Sequence, residues 1–350
     1  LQDQWTRGRM TLQGALRYDH VVSWAPDGGN GTDQTTRFNP QPIRFGRMDS
    51  VTGFNDLTPR FGLAYDLFGN GKTALKASAG KYLQAATADG IYSSQNQGLS
   101  FVRSASRAWT DSNGNYAVDC NLLSAAAQNT ASTGGDVCGA LTGNNLNFGN
   151  LNPNITRVDP EILSGWGVRP YNWRFGASVQ HEVRPGVSVD VGYNRRHWGN
   201  FFVTYNELVG AADYDAWTVP VPSHPLLPNA GGTDSFVAIT PAAAARGSQS
   251  FMTREENVAG EERTAYWHGV DVNGTARLRE GLTVQMGTTT GRGVRDLCAL
   301  WQARPQLQGS NAADSCAVIF VVRALMITST RSRSIRIVPT SSNCCSEAIR

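Results

Sequence analysis

The segment most suggestive of chemistry is Asp111-Ser112-Asn113-Gly114-Asn115-Tyr116-Ala117-Val118-Asp119. Asp111, Asn113, Asn115 and Asp119 offer oxygens around a turn at Gly114, as a compact Ca²⁺ loop would, since Ca²⁺ takes about six to eight oxygen ligands. The spacing departs from the EF-hand: the glycine comes early and the closing Glu is missing. Asp, Asn and Gly also build polar turns without an ion, so a Ca²⁺ loop and a plain turn both fit these residues.

Cysteine position carries a second signal. Cys120 and Cys138 share one long connection, Cys298 and Cys316 share another at the same spacing, and none falls in an expected strand. Two pairs within loops fit disulfides 120–138 and 298–316 on an oxidising side of a membrane. Each would contribute about 3 kcal/mol by the chain-entropy argument. Four unpaired thiols are the alternative.

Enzyme chemistry finds little support. His20, His181, His197, His224 and His268 show no metal-ligand spacing, and no G-x-S-x-G elbow occurs. Gly69-Asn70-Gly71-Lys72-Thr73 imitates the end of a phosphate-binding loop, but Asp66 stands where its first glycine belongs. Glu255-Glu256 and Glu261-Glu262, with Arg254 and Arg263 nearby, read as a solvated loop surface rather than general acids. The expectation is a protein that is not an enzyme.

The remaining charges acquire meaning from the elements that carry them. Seven stretches alternate apolar and polar residues: Thr11–Trp24, Leu57–Leu67, Lys72–Leu83, Asn172–Val183, Val187–Thr204, Tyr266–Leu278 and Leu282–Gly291. Period-two alternation marks strands with two chemically different faces. Phe68-Gly69-Asn70-Gly71, Arg184-Pro185-Gly186 and Arg279-Glu280-Gly281 make tight turns, whereas residues 25–56, 84–171 and 205–265 are long connections. Short turns at one end and long loops at the other are the pattern of an outer-membrane β-barrel. The fold expected is all-β: an antiparallel transmembrane β-barrel segment with long extracellular loops. Arg17, Arg60, Asp66, Lys76, Arg174, Glu182, Asp190 and Asp271 fall on the polar sides of these strands and are expected to face the lumen.

Tyr18, Trp24, Phe68, Tyr82, Trp173, Tyr193, Trp198 and Trp267 lie near strand ends, as interfacial girdles do. A soluble sandwich, the competing fold, would place its large aromatics mid-strand. The bulk figures agree with a barrel. Hydrophobic residues make up 40% and charged residues 17%, and no run is apolar enough for a membrane-spanning helix. The 37 glycines suit strands and turns, and a net charge of +3 is too small to argue for a nucleic-acid partner.

The residues also resemble a known family. Leu12-Gln13-Gly14-Ala15-Leu16-Arg17-Tyr18-Asp19 is similar to a strand common in TonB-dependent receptors, and the block from Leu57 through Thr73 resembles their "PRxGxAYDLFGNGKT" hairpin. Leu163–Trp173 and Val191–Arg196 resemble the Oar-like branch, whose members usually carry a carboxypeptidase-regulatory-like N-terminal domain. The resemblance runs from about residue 5 to about residue 318. It implies a barrel of about 22 strands, of which this chain would supply about seven or eight, plugged by an N-terminal domain and energised through TonB. The expected partners are outer-membrane lipid, the TonB complex acting through a plug absent from this sequence, and an unidentified extracellular ligand. On this reading the chain, which opens at Leu1 without a signal peptide, is a C-terminal barrel fragment.

The resemblance stops near Asp314–Val318. Beyond it, residues 319–350 contain no glycine and one aromatic residue, and end with Cys344-Cys345 and a final Arg350. The expected organisation is a partial receptor barrel over 1–318 and an atypical tail over 319–350, frameshifted or disordered, against the alternative of an ordinary divergent tail. The leading function is ligand capture by the loops for energised passage across the outer membrane. The alternatives are a cell-surface adhesion barrel without transport and a secreted β-sandwich enzyme.

Overall fold

Period-two sequences and glycine-bearing turns produce one large antiparallel sheet in the computed structural model, which describes residues 1–29, 44–227, 230–279, 282–308, 316–329 and 336–337. Its main strands are β1 (Gln2–Arg7), β2 (Met10–Val21), β3 (Gly53–Asp66), β4 (Thr73–Leu83), β5 (Tyr171–Arg184), β6 (Val187–Gly199), β7 (Thr264–Arg279), β8 (Leu282–Asp296) and β9 (Ala317–Ser329). They lie side by side in chain order, followed by Arg336–Ile337, while Ser164–Trp166 pairs with β3 off this path. No described helix is long and apolar enough to cross a membrane.

Every stretch expected to be a strand carries one, with differences at the ends. The strand expected to reach Trp24 ends at Val21. The one expected to reach Thr204 ends at Gly199, and Phe202–Asn206 forms a separate strand paired with Ser250–Arg254. The break falls at Asn200, whose φ is +60°; its amide donates to the carbonyls of Gly167 and Arg169. β1 and β9 were not anticipated. The boundary drawn at residue 318 falls inside β9, which pairs with β8 from Asp296↔Ala317 to Val284↔Ser329. Cys344-Cys345 lies outside the described residues, as does the 280–281 turn.

The β3–β4 turn shows why local sequence fixes register. Asp66 accepts the backbone N–H groups of Gly69 (3.0 Å) and Gly71 (2.9 Å), and both glycines have positive φ, a conformation costly for residues with a Cβ. The hairpin then aligns Arg60 with Gly80 and Ala64 with Lys76.

The chain divides into two compact units. Residues 1–20, 54–85 and 159–350 hold the sheet. Residues 21–53 and 86–158 form a second unit with little regular structure: Gln128–Asn129, Val137–Cys138 and Trp109–Thr110 make a small sheet, and Val51, Ile91, Tyr92, Val102, Cys120 and Cys138 are buried.

Candidate functional site

Register determines which side chains meet. One face of the large sheet presents Phe61, Leu63, Phe175, Val179, Val191, Tyr193, Val270, Val272 and Met286. The other is polar across β3 to β8, because the pairings Ala64↔Lys76, Lys76↔Ser178, Gln180↔Asp190, Asp190↔Asn273, Gly192↔Asp271 and Asp271↔Thr289 put all these residues on one side. Arg60, Lys76, Arg174, Glu182, Asp190 and Asp271 share this face by the same registers, as does Asp66 opposite Ala74. Gln13 of β2 lies where a Cβ on Gly62 would touch it, at 3.6 Å, so Arg17 joins the face by alternation.

The eight charges do not behave alike. Arg17 is paired with Asp19 at 2.8 Å. Asp66 serves the turn. Asp271 accepts from Asn194 Nδ2 (2.5 Å) and Thr289 Oγ1 (2.7 Å), and Lys76 donates to Gln180 at 2.7 Å. Asp190 lines a concavity of about 370 Å³ with Lys76, Asn194, Asp271 and Asn273.

Nearer the long-loop end, three arginines of β3, β5 and β6 gather on the polar face. Gly80 stands opposite both Arg60 and Arg174, and Arg174 stands opposite Arg196. The guanidinium carbons of Arg60 and Arg174 lie 4.7 and 4.8 Å from the centroid of the Tyr82 ring. Asn172 Oδ1 accepts from Arg174 Nε (3.2 Å) and from Arg196 Nε (3.0 Å), and Arg196 also covers the Trp198 ring at 4.5 Å. Arg60, Arg174 and Tyr82 line a concavity of about 320 Å³.

Arg196, Asn172 and the role of Tyr82 escaped the sequence reading. Continuing the polar alternation of Asn194 by two residues reaches Arg196. Tyr82, Trp198 and Trp267 were expected in an interfacial girdle, but their registers put them on the polar face, where two of them hold arginines.

The acids expected to coat the 205–265 connection divide: Glu256 and Glu261 are exposed, whereas Glu255 and Glu262 turn inward. Glu255 is fully buried and ion-paired with Arg263, and Glu262 accepts the backbone N–H of Phe201. Burial raises the Glu262 carboxyl above its usual range. Burial, aided by Arg295, lowers Arg263 to about 10. These side chains brace the loop instead of coating its surface.

Both expected disulfides, Cys120–Cys138 and Cys298–Cys316, are formed. In the 111–119 segment the side chains meet one another: Asn113 and Asn115 donate their amides to Asp119 Oδ2 at 2.6 and 2.9 Å. Asp111 accepts the N–H groups of Gly114 and Tyr116. This is a chain of turns closed by hydrogen bonds. Among the described residues no three His, Cys, Asp or Glu side chains cluster as a metal site. Beside it, buried Asp136 accepts from Trp109 Nε1 (2.9 Å), Ser112 N (3.1 Å) and Asp119 N (3.0 Å). Those donors, led by Trp109, hold its carboxyl below the usual range.

Solved structures similar to this chain include the siderophore receptor PirA from Pseudomonas aeruginosa (12% identity, TM-score 0.31) and the outer membrane transporter YddB from Escherichia coli (9%, TM-score 0.34). Each alignment covers 93% of this chain and 38% of the other, so the chain spans well under half the length of either. No curated protein matches. Residues 1–303 match the family model described as outer membrane beta barrel domain. The chain therefore belongs to the outer membrane beta barrel family, and its place is the bacterial outer membrane.

Proposed function

We propose that this chain is part of the wall of a TonB-dependent receptor, which captures a ligand with its long loops for energised passage across the outer membrane. The observation that carries this reading is the continuous polar face from β3 to β8, backed by a face of exposed valine, leucine and aromatic side chains. A sheet immersed in lipid requires one apolar face, and a sheet bounding an aqueous passage requires the other to be polar. On this reading the polar face is the lumen, and the energy reaches it through a plug domain and TonB. The protein acts by binding and conduction, not by catalysis. An open sheet edge in lipid leaves backbone amides unpaired, so further strands must close the wall; the family resemblance implies about 22 in all.

The lumen assignment is tested with Ser178→Cys and Val179→Cys in a Cys344→Ser/Cys345→Ser background. In intact outer membranes a water-soluble maleimide should modify the residue at 178 and spare the one at 179; equal labelling would overturn it. Energised passage is tested by accumulation of candidate ligands in cells with and without TonB. Uptake confined to TonB-containing cells supports transport, whereas equal surface retention in both supports adhesion.

A further inference from the structure

We propose that Arg60, Arg174 and Arg196 form a binding site for an oxyanion-bearing small ligand, one presenting carboxylate or phosphate oxygens. The proposal rests on the lumen reading above and supplies the ligand class that reading lacks.

Arg174 and Arg196 stand directly opposite each other, and Arg60 reaches the same row across Gly80. Like charges directly opposite on neighbouring strands destabilise a sheet, so this arrangement needs a compensating anion. The described residues do not provide one, and on the lumen reading a carboxylate of the plug is the competing source. Among the described residues no carboxylate lies within ion-pair distance of any of the three, while the nearby acids are engaged elsewhere: Asp19 by Arg17, Asp56 by Arg169 at 3.4 Å, and Asp271 by Asn194 and Thr289.

The guanidiniums are also held in place. Tyr82 carries two of them on its ring, and Asn172 Oδ1 fixes the Nε of two. Both contacts leave the outer Nη donors of Arg174 and Arg196 without a protein hydrogen bond among the described residues. Such donors in a fixed planar fork suit carboxylate and phosphate oxygens, and a held side chain loses little entropy on binding. Gly80 keeps the floor open: a Cβ there would sit 3.2 Å from the Tyr82 ring and 3.4 Å from Arg60 Cγ. Tyr82 and Asn172 are positioning residues in this site.

The test is calorimetric and thermal titration of the purified full chain with citrate and, separately, inorganic phosphate at near-physiological ionic strength. Saturable binding by either probe, with a rise in melting temperature, is expected; which probe binds distinguishes carboxylate from phosphate recognition. Arg174→Gln and Arg196→Gln should each weaken binding by about tenfold or more, since a hydrogen bond to a charged group carries at least that factor. Arg277→Gln, on the same face but away from the cluster, should leave the affinity unchanged. Each cluster variant relieves like-charge opposition, so without anion it should melt no lower than the parent, which guards against mere misfolding. Binding of neither probe, or equal losses in the Arg277 variant, would overturn the site. Capture of an acidic peptide but of neither probe would assign the cluster to a protein partner and overturn the small-ligand proposal. Maleimide labelling at position 178 reports on the lumen independently: a labelled face with no anion binding sinks the site alone.

Discussion

The sheet and the 21–53/86–158 unit hold themselves together by opposite means. In the sheet, backbone ladders satisfy the amides and one face leaves large apolar side chains uncovered: Val191 is 43% exposed and Met286 53%. In water such a surface is a liability, and in a bilayer it is the solvent-compatible side. The other unit has few ladder bonds and a small core. It relies on Cys120–Cys138, on the Asp136 carboxylate, and on Arg107, whose guanidinium donates to the carbonyls of Ser124, Ala126 and Gly139. The lesson is that the solvent sets the device. Lipid leaves the sheet to its hydrogen bonds, whereas an irregular loop in water must be stapled at named points.

The largest expected effect breaks the sheet and spares the loop. Val191→Arg puts a charge in mid-strand on the apolar face and should cost about 2–4 kcal/mol in a bilayer. Thr275→Arg, on the polar face, should cost about 0.5 kcal/mol or less, as surface changes do. Folding into liposomes across a urea series measures both. Equal costs would mean that the two faces do not differ in solvent.

The reverse experiment breaks the loop and spares the sheet. Cys120→Ser with Cys138→Ser removes a staple worth about 3 kcal/mol for a loop of this size. Protease should then nick within residues 86–158 while the strands remain intact. A cleavage pattern unchanged from the parent would show that Asp136 and Arg107 suffice.

These two experiments divide along the line between what could and could not be read in the sequence. Alternation is a local property, so all seven strands were legible, and cysteine position alone foretold both disulfides. The arginine cluster was not legible, because Arg60 and Arg174 are brought together by the lateral register of strands far apart in the chain. Tyr82 reads as a girdle residue in sequence, where nearness to a strand end is visible and the face it occupies is less so. β9 was missed for another reason. Val318, Phe320, Val322 and Met326 are the residues that pair opposite the polar face of β8, so its two sides do not differ in polarity. Phe320 lies against Gly293, where no Cβ intervenes.

Acid should separate the two regions more gently. The folded Asp136 carboxyl lies below its ordinary value of about 3.9, so its stabilisation is complete above that value. It is lost as pH falls from there through the depressed folded value. Amide exchange at Ser112 and Asp119 should accelerate in that window, with the strand ladders of β5 to β7 unaffected by this group. Asp136→Asn should abolish that acid transition and loosen the loop at neutral pH. Oδ1 accepts from one N–H and Oδ2 from two, so either amide orientation sets an NH₂ against a donor. Identical exchange profiles for parent and variant would remove Asp136 from the stapling set.

The smallest effect expected comes from Ca²⁺ at residues 111–119. A bound ion would need the oxygens of Asp111, Asn113, Asn115 and Asp119 to converge. Instead, Asn113 Oδ1 accepts from Asn115 N at 3.0 Å, Asn115 Oδ1 accepts from Ala117 N at 2.7 Å, and both amide nitrogens point at Asp119. Coordination would turn both amide nitrogens away from Asp119 and set the ion to compete with Asn115 N and Ala117 N for the same two oxygens. Protease sensitivity of the loop should therefore be the same in millimolar Ca²⁺ and in chelator. Protection by Ca²⁺ that Asn113→Ala and Asp119→Asn each abolish would show that the turn reorganises around the ion, and the loop would then have a metal staple beside its disulfide.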